Sequence, residues 1–168
     1  MNIVQSFEEP RHRVSMHDGD DLHDEVERLA GDCAERYARL LPRVAARIVG
    51  PDPAAEKEAL ESGGFVLDDT TVVMRLNPDT DHLEFFCDIG MPLPHTRDDA
   101  YRAALEMNLC RSHPGVTFGV HPESSRLVAT TAMHMLLVAD DEACLNAIGM
   151  LTRISRELRA NRTFIVED

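Results

Sequence analysis

One stretch of the sequence decides the fold: DIGMPLPHTRDDAYRAALEMNLC, residues 88–110. It predicts the end of a strand and then a helix from about Arg97 to Cys110, with Thr96 in the capping position. Only Arg102 and Glu106 form a polar stripe along this helix, and apolar side chains cover most of the remaining circumference. A helix this apolar cannot pack on a sheet with one side and meet water with all the rest. A symmetric second copy of the chain is the simplest cover for the second side.

Two alternating segments upstream, Thr71–Asn77 and His82–Ile89, predict a β-hairpin closed by the four-residue turn 78–81, after a short strand at Phe65–Leu67. The turn sets Asn77 opposite His82, and a slip of one residue would move every side chain to the wrong face. One face then pairs Leu76 with Leu83, Met74 with Phe85 and Val72 with Cys87, and the other pairs Arg75 with Glu84 and Val73 with Phe86. Each pair is chemically compatible, which supports this register.

A second hairpin is predicted downstream of the 97–110 helix, with its turn at residues 122–125. Its register pairs His121 with Arg126, Val120 with Leu127, Phe118 with Ala129 and Val116 with Thr131. A last helix begins near residues 140–142, where three acids lie at the positive end of the helix dipole. Its predicted core stripe is Ala143, Ala147, Leu151, Ile154 and Leu158.

The N-terminal third is predicted to add a tail and two helices. Residues 1–19 have mixed charge and no periodicity, which predicts a flexible tail. Apolar residues at three- and four-residue steps predict a long helix up to Gly50, kinked or split at Pro42, and a short helix opened by Pro53. With no internal repeat or linker, we expect residues 20–168 to form a single α+β domain. Its architecture is an antiparallel twisted sheet with helices packed on it.

The charge of the chain limits its partners. The 168 residues carry a formal net charge of −13, so phosphate backbones and anionic lipids are unfavourable partners, and neither nucleic-acid binding nor membrane insertion is expected. No segment approaches the length of a membrane span, and the N-terminus does not have the pattern of a signal peptide. A cytoplasmic location follows. The four cysteines, widely spaced in apolar segments, are predicted to be buried thiols: Cys33, Cys87, Cys110 and Cys144.

No pattern indicates catalysis, a metal site or a cofactor. The segment His17–Asp24 is rich in metal-ligating residue types, but Leu22 occupies a position where a calcium loop needs a ligand. Helix capping accounts for its aspartates. A hydrolase built on this cluster is the third-ranked alternative, and bound metal would be needed to support it.

Several motifs together resemble the Tir chaperone (CesT) family of type III secretion chaperones. Residues 88–94 resemble the strand end before the family's second helix, residues 103–109 are similar to its Leu-Leu-x-x-Asn-Leu helix end, and residues 116–122 resemble the strand that follows. The likeness covers roughly residues 64–160. It implies the element order α-β-β-β-α-β-β-α with an extra N-terminal helix, and either of the two N-terminal helices can be the family's first.

The resemblance also implies a function. A member of this family is a homodimer in the bacterial cytoplasm that binds the N-terminal chaperone-binding segment of a secreted effector and keeps it soluble and partly extended, without nucleotide or metal. Such a protein is not an enzyme. From the residues alone, a small dimeric regulatory or sensor domain that binds another cytoplasmic protein is the alternative.

The candidate effector-binding residues come from two places. Val73 and Phe86 lie on the more polar sheet face, where they either form an apolar patch for the effector or are covered by the N-terminal helix. Met133, Met135 and Leu136 lie between the last strand and the last helix. Flexible thioethers there suit either an adaptable binding surface or core filling.

The candidate dimer residues are Tyr101, Leu105 and Leu109, which share one helical face, with Val116 and Phe118 on the strand that follows. Packing against the sheet is the alternative for the helical face. The family resemblance places the dimer contact on this helix and on the strand beginning at Val116.

Overall fold

The computed structural model describes the backbone of residues 19–161 and 166–167, and the side chains of residues 32–161. The predicted tail 1–19 lies outside the described residues, except that Gly19 begins the first helix. The side chains of the segment His17–Asp24 are outside them as well.

The described chain is built from four helices and six strands. Their bounds are α1 Gly19–Val49, α2 Pro53–Ser62, β1 Gly64–Leu67, β2 Thr70–Asn77, β3 His82–Pro92, α3 Arg97–Cys110, β4 Thr117–Val120, β5 Leu127–His134, α4 Asp141–Ala160 and β6 Val166–Glu167, with a 3₁₀ turn at Met135–Leu137. This order confirms the predicted α+β fold, including the extra N-terminal helix. The two-residue strand β6 was not predicted.

The sheet is antiparallel, with the strand order β1-β2-β3-β5-β4, and β6 pairs with the end of β3. Every predicted pair between β2 and β3 is present, from Asn77 opposite His82 to Val72 opposite Cys87. The predicted partners of Phe118 and Val120 in β5 are also confirmed. Strand order places β1 and β4 at the two edges of the sheet.

Helix α1 is continuous through Pro42, so of the two predicted alternatives, a kink or a split, the split is wrong. Proline removes one backbone hydrogen bond from a helix interior. The neighbouring side chains of Leu40 and Val44 are buried in the core on either side of it, and this burial offsets the missing bond.

The cap of α2 is as predicted, but that of α3 is not. Asp52 caps α2 by accepting a hydrogen bond from the Ala54 N–H. Thr96 occupies the N-cap position of α3 without a side-chain bond to the helix. Its backbone is helical rather than extended, and its hydroxyl donates to the Leu93 carbonyl instead.

Gly63 ends α2 in the left-handed conformation, with φ +67°. A Cβ at this position would lie 2.4 Å from the Met74 carbonyl oxygen, which is too close for any other residue. The same glycine accepts a hydrogen bond from the Met74 N–H, so helix α2 is fastened to the sheet at this point.

One face of the sheet forms the core together with α1 and α4. Val72, Met74, Leu83 and Phe85 are fully buried on this inner face. The predicted stripe of α4 is buried at Ala147, Leu151, Ile154 and Leu158, and Ala143 is half-buried. The opposite face of the sheet, which we call the outer face, carries Val73, Arg75, Glu84 and Phe86.

Three cysteines are buried as predicted, but the prediction for Cys110 is wrong, because it is the last residue of α3 and its side chain is exposed. Burial raises the pKa of the Cys87 and Cys144 thiols to about 11. None of the four forms a disulfide bond.

Candidate functional site

Helix α3 presents an exposed apolar face. Its small residues Ala100 and Ala104 are buried, while Leu105 is 68% and Leu109 is 84% exposed. Tyr101 is half-buried, and its hydroxyl donates to the Ser125 carbonyl at 2.7 Å. The two leucines are therefore the side chains of this face that a second molecule can cover.

The two candidate dimer residues on the neighbouring strand are placed differently. Val116 and Phe118 are buried within the chain, as part of the same core as the inner sheet face. Their side chains offer no free surface in the single chain. In the edge strand β4, Val120 is the large apolar residue whose side chain is exposed, so a partner could contact this strand there.

Asn108 joins α3 to β4. Its side-chain amide donates to the Phe118 carbonyl at 2.8 Å and accepts from the Phe118 N–H at 2.8 Å. This pair of bonds fixes the rotation of α3 about its axis, since Asn108 must point to the strand. Leu105 and Leu109 are thereby held outwards.

The outer face carries an apolar pair bordered by charges. Val73 and Phe86 are register partners and both are half-buried. The Arg75 guanidinium lies 4.4 Å from the centre of the Phe86 ring and donates to Glu84 at 3.0 Å. Asn77 also donates to Glu84, and this hydrogen bond, followed by that from Arg75, lowers the pKa of the Glu84 carboxyl.

Two cavities extend from this apolar pair. Val73 lines one of about 540 Å³ that also touches the exposed Val66 of edge strand β1 and Ile48 at the end of α1. Phe86 lines another of about 380 Å³, with Thr117 and Thr130. The outer face thus offers apolar contacts next to β1, an edge strand of the sheet in the described part of the chain, and an extended peptide can use this combination.

The 3₁₀ turn after β5 exposes two leucines and buries a methionine. Met135 is 1% exposed, and its N–H donates to the Asp81 carbonyl at 2.7 Å, so it fills the core. Leu136 is 45% and Leu137 80% exposed, while Met133 is half-buried. The candidate surface here is therefore Leu136 with Leu137, whereas Met133, the register partner of the buried Leu83, is on the inner face of the sheet.

Among the described residues, no group of three metal-ligating side chains could hold an ion. No helix in this part of the chain is both long and apolar enough to cross a bilayer. The chemistry available at the site is burial of apolar surface, hydrogen bonding at strand edges and ion pairing.

Comparison with known proteins identifies the family. Residues 53–151 match the profile of the Tir chaperone protein (CesT) family. The match spans more than half of the chain, and the chain belongs to this family of type III secretion chaperones. It begins at Pro53, the first residue of α2, so of the two N-terminal helices α2 is inside the match and α1 is outside it.

Solved structures share the fold. A chain of the ExsC–ExsE complex has a TM-score of 0.58 and 16% sequence identity, covering 74% of this chain and 92% of that chain. A chain of the HopA1–SchA chaperone–effector complex has a TM-score of 0.55 and 13% identity, covering 75% of this chain and 94% of that chain. A search of curated proteins found no match.

Proposed function

We propose that this chain is a cytoplasmic bacterial chaperone that acts as a homodimer. It binds the N-terminal chaperone-binding segment of a secreted effector, keeps the effector soluble and maintains it in a form that can be exported. It acts by binding, without an enzymatic step. The observation that carries the proposal is the pair Leu105 and Leu109, exposed on a rigidly held helix of a Tir chaperone fold.

The dimer is proposed from the apolar area of α3. Two exposed leucines four residues apart form a continuous strip along the helix. Packing two copies of the strip about a two-fold axis buries both strips at once. The polar residues Arg102 and Glu106 lie beside the strip, where they can form the hydrated rim of such an interface.

The effector segment is proposed to lie on the outer face. Val73 and Phe86 provide apolar contacts, and β1 provides a strand edge whose backbone groups can pair with an extended peptide. Leu136, in the 3₁₀ turn that follows β5, provides a further apolar contact. Met135, Val116 and Phe118 are left out of the proposed contacts because their side chains are buried in the chain.

Two measurements test the proposal. The mass of one chain is 18.8 kDa, and light scattering after size-exclusion chromatography is expected to give twice this mass. A tagged chain purified from its native cytoplasm is expected to bring with it a secreted protein, and truncation should locate binding in that protein's N-terminal region. A monomer that captures no such segment contradicts the proposal.

A further inference from the structure

Helix α1 carries a row of arginines beside the 3₁₀ turn. Arg36, Arg39 and Arg43 follow one another at steps of three and four residues, so they lie on one side of the helix. This side faces the segment that leads into α4, and a cavity of about 240 Å³ lies between them. The cavity is lined by the three arginines and by Leu40, Met135, Val138, Ala139 and Asp140. We call it the arginine groove.

The positive charge in the arginine groove is incompletely neutralised. Arg36 is half-buried and donates to the Val138 carbonyl at 2.8 Å, and no carboxylate among the described side chains pairs with it. Arg39 lies 3.7 Å from Glu35, and Arg43 lies 3.8 Å from Asp141. Both contacts are long and both guanidinium groups are exposed, so the ion pairs add little stability and the two arginines are available to a ligand.

The nearby acids have other partners. Asp140 accepts the Ala143 N–H as the N-cap of α4. Asp141 is bound more closely by Arg47, at 3.1 Å, and Arg47 also pairs with Glu142 at 2.6 Å. The lining of the groove thus carries three guanidinium groups against one carboxylate, that of Asp140, on a chain of net charge −13.

Apolar side chains complete the groove. Leu40, Met135 and Val138 are buried and form its floor. Leu136 and Leu137, which lie between two of the lining residues in the chain, are exposed beside it. A ligand that matches this surface must carry carboxylates for the guanidinium groups and apolar side chains for the leucines.

We infer that the arginine groove binds a segment of the protein that this chaperone carries, and that this segment has both acidic side chains and apolar side chains such as leucine. The inference rests on the proposed function and names the chemistry of one part of the partner. The wall that carries the arginines belongs to α1, outside the family match that begins at Pro53.

The test uses three synthetic peptides and the full chain. The probe is a fluorescent peptide of glutamate and leucine in an amphipathic pattern. A lysine–leucine peptide of the same pattern tests for the sign of charge, and a glutamate–serine peptide tests for the apolar contribution. Binding is followed by fluorescence anisotropy at two salt concentrations, and the site is located from amide chemical shifts.

Two variants with the same change in charge separate the groove from the rest of the surface. R39Q/R43Q removes two exposed arginines from the groove. R153Q/R156Q removes two exposed arginines from α4, where they pair with Glu157 and Asp68. We expect the first to weaken binding of the glutamate–leucine peptide about tenfold, and the second to leave it nearly unchanged. Binding to the wild-type chain should weaken as salt rises.

Several outcomes overturn the inference. They are equal losses in both variants, equal binding of the lysine–leucine peptide, no binding to the wild-type chain, and shifts that map away from residues 36–43 and 135–140. A change in molecular mass in R39Q/R43Q would show instead that the groove joins two copies of the chain. In each case, continued capture of a secreted protein by the chain shows that the proposed chaperone function stands on its own.

Discussion

The side chain of Asn108 pairs with the backbone of Phe118 as a neighbouring strand would. The amide donates to the Phe118 carbonyl and accepts from its N–H, both at 2.8 Å. These two groups point away from β5, at an edge of the sheet where no other strand of the described residues pairs with β4. One residue at the end of α3 thus closes part of the edge and sets the direction in which the exposed leucines of the helix point.

Asn108→Ala is expected to lower the free energy of unfolding by about 2–3 kcal/mol, because both backbone groups of the buried Phe118 lose their partners. Asn108→Asp keeps the acceptor but places a second carboxylate oxygen against the Phe118 carbonyl, so its effect should be no smaller. Urea denaturation measures both. Asn146→Ala, on the exposed side of α4, is the control and should change stability by less than about 0.5 kcal/mol. Equal effects at the two asparagines would contradict the role given to Asn108.

Leu105→Glu and Leu109→Glu are expected to dissociate the proposed dimer, because each places a carboxylate in the apolar strip of both copies. A rise of about 100-fold in the dimer dissociation constant is the expected scale. Sedimentation velocity over a range of concentrations measures it. Leu137→Glu alters a similarly exposed leucine on the 3₁₀ turn and should leave the dimer intact. Dissociation by this control, but not by the α3 variants, would place the interface elsewhere.

The elements that could be predicted from the sequence are those with a local period. The pairing of Val73 with Phe86 and of Arg75 with Glu84 follows from a period of two and a four-residue turn. The start of α3 follows from the capping position of Thr96, which the structure keeps although the threonine side chain makes no capping bond. In each case neighbouring residues carry the information.

The missed features depend on contacts distant in the chain. Alternation predicts that Val116 and Phe118 share a face, but not that the rest of the chain buries that face. Met135 is buried and Leu136 is exposed because the backbone turns there, and an unbroken apolar run has no period that indicates this. The arginine groove joins Arg36 to Val138, 102 residues away, so no local pattern marks it.

Phe86→Ala is expected to weaken effector binding about tenfold while costing about 1 kcal/mol of stability, because the ring is half-buried and its main lost contact is with Arg75. Isothermal titration with the captured effector segment gives the affinity, and urea denaturation gives the stability. Phe85→Ala is the matched comparison on the inner face of the same strand. Its side chain is fully buried, so the expected cost is about 3–5 kcal/mol. Undiminished affinity in Phe86→Ala would remove the outer face from the proposed binding surface.

Glu84→Gln tests the charge network on the outer face. The pKa of Glu84 is lowered in the folded chain, chiefly by the hydrogen bond from Asn77 and then by that from Arg75. A lowered folded-state pKa stabilises the fold above the unfolded-state value, about 4.3 for glutamate, and this stabilisation is lost as the pH falls through the folded-state value. The variant should therefore unfold at a lower temperature than the wild type at neutral pH, and the difference should shrink below about pH 4.

Thermal unfolding followed by circular dichroism across this pH range measures the difference. Glu157→Gln removes an exposed carboxylate 3.9 Å from Arg153 and should change the unfolding temperature little at any pH. If the difference in unfolding temperature between Glu84→Gln and the wild type does not depend on pH, the packing of the side chain matters rather than its charge.

Thiol labelling reports on the dimer through Cys110. The thiolate is the reactive form, so Cys87 and Cys144, each with a pKa of about 11, expose about one thiolate in ten thousand at pH 7 and are buried besides. Cys110 is exposed in the single chain and should supply the fast phase of reaction with a disulfide reagent. Cys110→Ala should abolish that phase.

Because Cys110 directly follows Leu109 in α3, assembly through this helix should slow its labelling, and Leu109→Glu should restore the fast rate. Equal rates in the wild type and Leu109→Glu, at concentrations where the wild type is dimeric, would mean that the interface leaves this end of α3 uncovered.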